Sequence, residues 1–241
     1  MAEQITFELP DKNRVVAHIR RLICAGYTGR HQADVEAHIK ELATIGIDAP
    51  PHIPMLFPIM PALLSQSTRT YVLGENTAPE VEFVLFRQDG ADYVTVGSDQ
   101  TDSVMEAQAA AMAKNMCAKS VAPAAWPLGE VRSHWDKLEL ELTCEGRTMQ
   151  RGRVELLMAP DALHGFVAKH DGPDHEGRMV FSGTVETHGK YPHGEVSLAI
   201  ILTDPVLGRQ LRHVYTVTPM QEFFLGEALA RNAASHERHM P

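Results

Sequence analysis

After Pro127 the sequence turns to strand periodicity and stays there. "KLELELTC" and "GRTMQRGRVELLM" alternate apolar and polar residues, and "SLAIILTDP" and "LRHVYTVTP" are β-branched runs closed by prolines. The first half has fewer such runs. Gln4 to Leu9 alternates as an opening strand, "RVVAHIRRLICAGY" is a second apolar run ending near Gly26, and Thr70 to Val96 reads as strands broken by Gly74 and the turn "QDGAD". Two helices are expected between them. Val35, Ile39 and Leu42 fall on one face of a helix over 29–46, and a second helix begins near Thr101, where Ser103 and Glu106 stand at capping-box spacing. A last helix is expected over "MQEFFLGEALARNAA", followed by a frayed tail. Five prolines between Pro50 and Pro61 exclude helix and central strand there, so that segment crosses a surface or lines a cleft as extended chain. Strands that alternate only partly with helices, clustered toward the C-terminal half, favour a β-rich mixed α+β fold in one domain over a doubly wound parallel sheet. A dinucleotide-binding glycine fingerprint is also missing.

Composition removes several classes of function. The formal net charge is -9 and the longest basic pairing is Arg20-Arg21, so nothing resembles a phosphate-backbone footprint and nucleic acid is not an expected partner. The acidic, alternating N-terminus does not read as a signal peptide, and no apolar run approaches the roughly 18 residues of a membrane span. Cys24, Cys117 and Cys144 lie far apart without C-x-x-C spacing, as expected of free thiols in a reducing compartment. A cytoplasmic protein without membrane contact is the expectation.

The stretch "PEVEFVLF" carries the chemistry. Residues two apart on a strand share a face about 6.5 Å apart, so Glu80 and Glu82 project the same way, ahead of Val84 and Phe86. Two carboxylates leading into apolar positions suggest a semi-buried site whose charge a cation offsets, although exposed Glu pairs are common on surfaces. Asp99 follows in "VGSDQTD", where an acid before a helix is by itself more often a cap. Together the three carboxylates form a hard, oxygen-rich set suited to Mg2+, Mn2+ or Ca2+ and not to Zn2+. The 13 histidines are scattered without an H-E-x-x-H pattern. His38 and Glu41 are three apart on the expected first helix, where a carboxylate can orient an imidazole as a general base or form an idle surface pair.

The order of these pieces resembles the fumarylacetoacetate hydrolase superfamily. "HIKE" from His38, the proline-rich chain, "EVE" from Glu80, "SDQTDS" from Ser98, Lys119, "GRTMQRG" from Gly146 and "FSGT" from Phe181 follow the order of that family's motifs over about residues 25–190. The interval from Asp99 to Lys119, twenty residues, is close to the spacing between its metal Asp and active-site Lys. The sequence is more similar still to a bacterial branch described only as a domain of unknown function. The resemblance implies a β-rich mixed-sheet roll of the fumarylacetoacetate-hydrolase type with flanking helices: strands over 1–24, a metal-site core over 25–190, and further strands, a helix and the tail over 191–241. It implies one divalent cation, Mg2+ or Mn2+, held by Glu80, Glu82 and Asp99, and a water-activating dyad of His38 and Glu41 on a lid helix. Lys119, Gln150 and Thr184 would meet the oxo-acid end of a small-molecule carboxylate substrate or its developing oxyanion.

The implied reaction breaks a carbon–carbon bond through an enolate, with hydration, dehydration or decarboxylation as related chemistry and a non-catalytic binding module as the alternative from another class. A homodimer is the expected assembly. Two departures stand out. Ser103 takes the place of an Arg in the family's N-D-x-S-x-R motif, for which Arg151 or Arg153 is a candidate replacement, and "SGTVETHG" lacks the proline after T-G-T.

Overall fold

A computed structural model describes residues 2–31, 35 and 52–220. In chain order its strands are β1 (Glu3–Glu8), β2 (Arg14–Ile19), β3 (Arg21–Gly26), β4 (Met55–Ile59), β5 (Leu64–Ser65), β6 (Arg69–Leu73), β7 (Thr77–Ala78), β8 (Val81–Gln88) and β9 (Ala91–Asp99). They continue with β10 (Thr101–Asp102), β11 (Lys119–Val121), β12 (Trp126–Pro127), β13 (Glu139–Cys144), β14 (Arg147–Arg153), β15 (Arg178–Phe181), β16 (Val196–Asp204) and β17 (Arg209–Met220). The helices are α1 (Ser103–Asn115), the single turn α2 (Leu128–Val131) and α3 (Pro160–Asp171).

Two large mixed sheets carry the fold. The first has the order β4-β3-β15-β8-β9-β11-β5, with β12 also on β9; the second runs β14-β13-β16-β17-β6. Within them β3 pairs parallel with β15, β5 with β11, and β6 with β17, while the other pairs are antiparallel. The architecture is therefore the expected β-rich α+β roll. The proline-rich segment enters it as β4, the edge of the first sheet, with Pro58 exposed and Phe57 and Ile59 buried. An edge strand has no inner ladder for proline to break.

Strand β8 lies inside the first sheet with both faces covered, and its alternation sends its residues into two different cores. Val81, Phe83 and Leu85 pack with Leu140, Leu142 and Ile200 of the second sheet, whereas Val84 and Phe86 pack with Phe7 and Ile19 of the β1–β2 hairpin. Phe7 stacks on Phe86 with centroids 4.6 Å apart. The turn between β8 and β9 uses Asp89 and Gly90 at φ 53° and 77°, the left-handed pair that a tight hairpin demands.

On β9, Gly97 is required by packing. A Cβ there would stand 2.5 Å from Phe181 Cε1 and 2.8 Å from Val84 Cγ2. Gly97→Ala is expected to destabilise the protein by about 1–3 kcal/mol through overpacking, measured by urea unfolding.

Two expectations about helices need correction. The Ser103–Glu106 capping box does not form: Asp102, one residue earlier, caps α1 by accepting from the amides of Val104 (3.1 Å) and Met105 (2.8 Å). Helix α3 goes unread in the sequence despite Pro160 in its first turn, Gly172 at φ 82° after its end, and buried Leu163 and Val167 four residues apart. Most of the helix expected over 29–46, with His38 and Glu41, and nearly all of the C-terminal one lie outside the described residues. The three cysteines are free and buried. Among the described residues no helix is long and apolar enough to cross a membrane.

Helix α3 also carries a pH-sensitive group. His164 has both ring nitrogens buried without a hydrogen-bond partner among the described residues, and it meets the His175 ring edge-on with centroids 4.8 Å apart. Burial pushes its pKa down from 6.5 to about 4. The unfolded chain therefore takes a proton at a pH where the folded one does not, and stability falls as pH drops from 6.5 toward 4. Thermal unfolding across that window should show a flatter decline for His164→Leu; an unchanged slope would remove His164 as its source.

Candidate metal centre

The hairpin register assembles the acidic residues. Val81 of β8 is paired with Ser98 of β9 and Glu82 with Gly97, while the Asp99 amide donates to the Glu80 carbonyl at 3.0 Å. Glu80, Glu82 and Asp99 thus share one face at one end of the hairpin, and each offers an oxygen within 4.8 Å of the others. Glu82 and Asp99 are each 1% exposed, so these are not solvated surface carboxylates.

Lys119 joins them for a reason visible in the pairing. It sits directly opposite Asp99 in the antiparallel β11–β9 ladder, which is what the interval of twenty residues encodes. Its Nζ lies 2.8 Å from Asp99 Oδ1 and donates to the Gln100 carbonyl at 2.6 Å.

A second lysine, not anticipated in the sequence, completes the cluster. Lys114 Nζ donates to Asp99 Oδ2 at 2.7 Å, Glu80 Oε2 at 3.1 Å and Thr101 Oγ1 at 3.3 Å. Glu106, also from α1, is close enough for the charges of Glu80 and Asp99 to act on it.

Gln150 and Thr184 act at the root of β8. The Gln150 side-chain carbonyl accepts from the Val81 amide at 2.9 Å, and its Nε2 faces Thr184 Oγ1, Val185 O and Thr187 Oγ1 at 2.8–3.0 Å. Thr184 Oγ1 in turn donates to the Val81 carbonyl at 2.8 Å. Both side chains therefore hold the residue between the two glutamates. Arg151 is not brought to the centre: strand alternation turns it away from Gln150, and it is mostly exposed, 3.6 Å from Glu139. Arg153 is likewise exposed, 3.6 Å from Glu155, and Ser103 is an exposed residue at the start of α1.

Glu82 is fixed from the other side by the Gly183 amide, which donates to its Oε2 at 2.9 Å. Gly183 is at φ 88°, and a Cβ there would run into the Thr28 hydroxyl and the Ala25 carbonyl, so the T-G-T-like turn needs glycine to bring its amide so close.

Burial and charge set the protonation of the cluster. Burial pushes the Glu82 carboxyl well above the usual range, and the neighbouring charges of Asp99 and Glu80 push it further. At Asp99 burial acts in the same direction, but Lys114 and Lys119 outweigh it and hold the carboxyl below its ordinary value. Burial disfavours the Lys114 ammonium, yet the charges of Asp99 and Glu80 keep its pKa well above normal. Burial and then the Glu80 charge raise Glu106 to about 7.

These residues fit a hard divalent cation. The donor set is three carboxylates, and Asp99 Oδ1 is buried without a well-aligned hydrogen bond among the described residues although Lys119 Nζ stands near it. Lys114 is the feature of the cluster that such a cation must contend with.

Solved structures with the same architecture include proteins named as hydrolases of fumarylpyruvate, as fumarylacetoacetate hydrolase family members and as a 2-keto acid dehydratase. A Pseudomonas aeruginosa fumarylpyruvate hydrolase in complex with Mn2+ and pyruvate matches with TM-score 0.61 and 17% identity, over 90% of this chain and 97% of that one. A yeast fumarylacetoacetate hydrolase family protein, ynq8, matches with TM-score 0.61 and 15% identity over 85% and 95%. A 2-keto-3-deoxy-D-arabinonate dehydratase matches with TM-score 0.60 and 15% identity over 85% and 74%. No curated protein matches the chain by sequence. Residues 25–215 match the family described as "Protein of unknown function (DUF2848)". The chain thus belongs to the DUF2848 family, on the fold of the fumarylacetoacetate hydrolases.

Proposed function

We propose that this protein is a divalent-cation-dependent enzyme acting on a small 2-oxo acid or 1,3-dicarbonyl compound through an enolate, most simply as a carbon–carbon bond hydrolase. The observation that carries the proposal is the cluster of half-buried Glu80 with buried Glu82 and Asp99, and Lys119 against it. Glu80, Glu82 and Asp99 would hold Mg2+ or Mn2+, with Ca2+ also compatible with an all-oxygen set. A cation there supplies Lewis acidity to an oxygen on which negative charge develops. Lys114 and Lys119 keep Asp99 ionised, as a ligand must be. Gln150, Thr184 and the Gly183 amide hold the strand and the Glu82 carboxylate in place, so little reorganisation is left for binding.

The substrate class draws support from the comparisons. One structural neighbour holds pyruvate with Mn2+ and another is named for a 2-keto acid, so both names carry a 2-oxo acid. The dehydratase is the observation that favours dehydration as the second reading. Lys119 and the half-buried Thr184 are the proposed contacts for the oxo-acid end, and Gln150 is proposed to act there through Thr184. Arg151 enters this role only if substrate or a second copy of the chain draws it from Glu139. A cytoplasmic homodimer of one domain per chain is the proposed setting.

The test is a panel of acylpyruvates, 2-keto-3-deoxy sugar acids and 1,3-diketones incubated with the Mn2+-treated protein, with products read by mass spectrometry. Cleavage of a carbon–carbon bond in one of them supports the hydrolase reading, and loss of water without cleavage supports the dehydratase. No turnover across the panel would leave a binding module. His38 and Glu41, outside the described residues, are proposed to activate water. His38→Gln is expected to lower turnover by about 10²-fold or more and leave Mn2+ affinity unchanged; equal loss of both, or of neither, contradicts the role.

A further inference from the structure

Lys114 reaches the acidic cluster by an unusual route. It is fifteen residues beyond Asp99, near the far end of α1, where a straight helix would carry it about 17 Å from Ser103. The helix is broken at Ala109, whose φ of -158° and ψ of 86° are extended, and Lys114 in its second half meets Asp99, four residues before the helix begins. Once there, the ammonium is enclosed by two further groups. Thr101 Oγ1 lies 3.3 Å away, the Phe57 ring of edge strand β4 sits beneath it with its centroid at 5.6 Å, and the side chain is only 8% exposed. A surface lysine that drifted onto a carboxylate would not be buried and pinned in this way.

Lys114 and Lys119 bring two positive charges to the carboxylates of Glu80, Glu82 and Asp99. A divalent ion added to this cluster meets the repulsion of both ammonium groups in a mostly buried place. Without Lys114 the same ion meets only Lys119. Lys114 also uses oxygens of two of the three ligands, Asp99 Oδ2 and Glu80 Oε2.

We propose that Lys114 is a built-in competitor of the metal: its ammonium shares the Glu80 and Asp99 oxygens with the divalent ion, and so sets how tightly the site binds it. This rests on the metal reading above, and it assigns to a residue of α1 a role in choosing when the centre loads. A cation weakly held against a resident ammonium exchanges readily, and one free of it is retained.

The test is Mn2+ titration calorimetry on the wild-type chain, Lys114→Met and Lys114→Gln, with thermal unfolding of each with and without Mn2+. Both variants are expected to bind Mn2+ about tenfold or more tighter than wild type, to unfold at lower temperature without it, and to gain more from it. Binding by the variants alone also upholds the proposal, because the lysine then excludes the metal outright. Binding to wild type with equal or weaker affinity in the folded variants overturns it and leaves the metal reading standing. Variants that do not fold even in excess Mn2+ overturn it as well, since the ion should restore the charge that the lysine supplied. Absence of binding in all three proteins defeats the metal reading, and this proposal with it.

Discussion

Asp99→Ala is expected to destabilise the protein by about 3–5 kcal/mol, more than any other single change in the acidic cluster. Asp99 is 1% exposed, and both of its oxygens face lysines, Lys114 at 2.7 Å and Lys119 at 2.8 Å. The reason for the size is not the strength of those pairs in isolation. A buried ion pair roughly offsets its own desolvation, but removing one partner leaves the others buried without compensation. Lys119 is fully buried and would retain only the Gln100 carbonyl, and Lys114 would retain Glu80 and Thr101. Equilibrium unfolding in urea measures the loss. A double variant, Asp99→Ala with Lys119→Met, should be less destabilised than the sum of the two single changes, because one stranded charge goes with its partner. A loss below about 1 kcal/mol would mean that water reaches the cluster and that its burial is not what holds the charges together.

Glu82→Gln is expected to act in the opposite direction on stability and to remove function. Burial and the neighbouring carboxylates already make the Glu82 charge unfavourable, whereas the Gln side-chain oxygen can still accept from the Gly183 amide. The metal-free variant should be more stable than wild type by about 1–2 kcal/mol and should lose cation binding, the trade-off expected of a strained functional residue. The pH dependence has a definite sign. Because the folded pKa is raised above the ordinary 4.5, Glu82 takes up a proton on folding, so its term makes wild-type stability fall as pH rises above 4.5 toward the folded value. Glu82→Gln removes that term. Thermal unfolding of chelator-treated proteins on either side of neutrality measures it, and a variant less stable than wild type would show that the carboxylate is compensated rather than strained.

How much of this was legible in the sequence depends on whether the signal was local. Glu80 and Glu82 declared their shared face because strand alternation is a period of two, and Val84 and Phe86 beyond them declared its burial. The twenty-residue interval to Lys119 became a cross-strand pair with Asp99, and the prolines after Pro50 became an edge strand, each for a reason that chain geometry states in advance. Lys114 was not legible. Its approach depends on the break at Ala109, where neither Gly nor Pro marks an interruption, and on an extended residue inside a run of alanines whose local preference is helical. Gln150 and Thr184 were placed near the centre by the resemblance, but their grip on Val81 comes from three distant segments meeting and has no local pattern. Helix α3 did have one, Pro160 at its start and Gly172 after its end, and the strand periodicity on either side masked it. The Asp102 cap had the same local signals as the Ser103 box and won because it stands at the position where the chain leaves β10.

Everything proposed for the chemistry depends on the buried carboxylates forming a metal site. Calorimetric titration of Mg2+ and Mn2+ into chelator-treated protein, beside Glu82→Gln, decides whether they do. Saturable binding of one ion to the wild-type chain and none to the variant is the expected result, although the variant folds and is the more stable of the two. Absence of binding to wild type and to Lys114→Met alike, or a Glu82→Gln variant that binds as well as wild type, would contradict it.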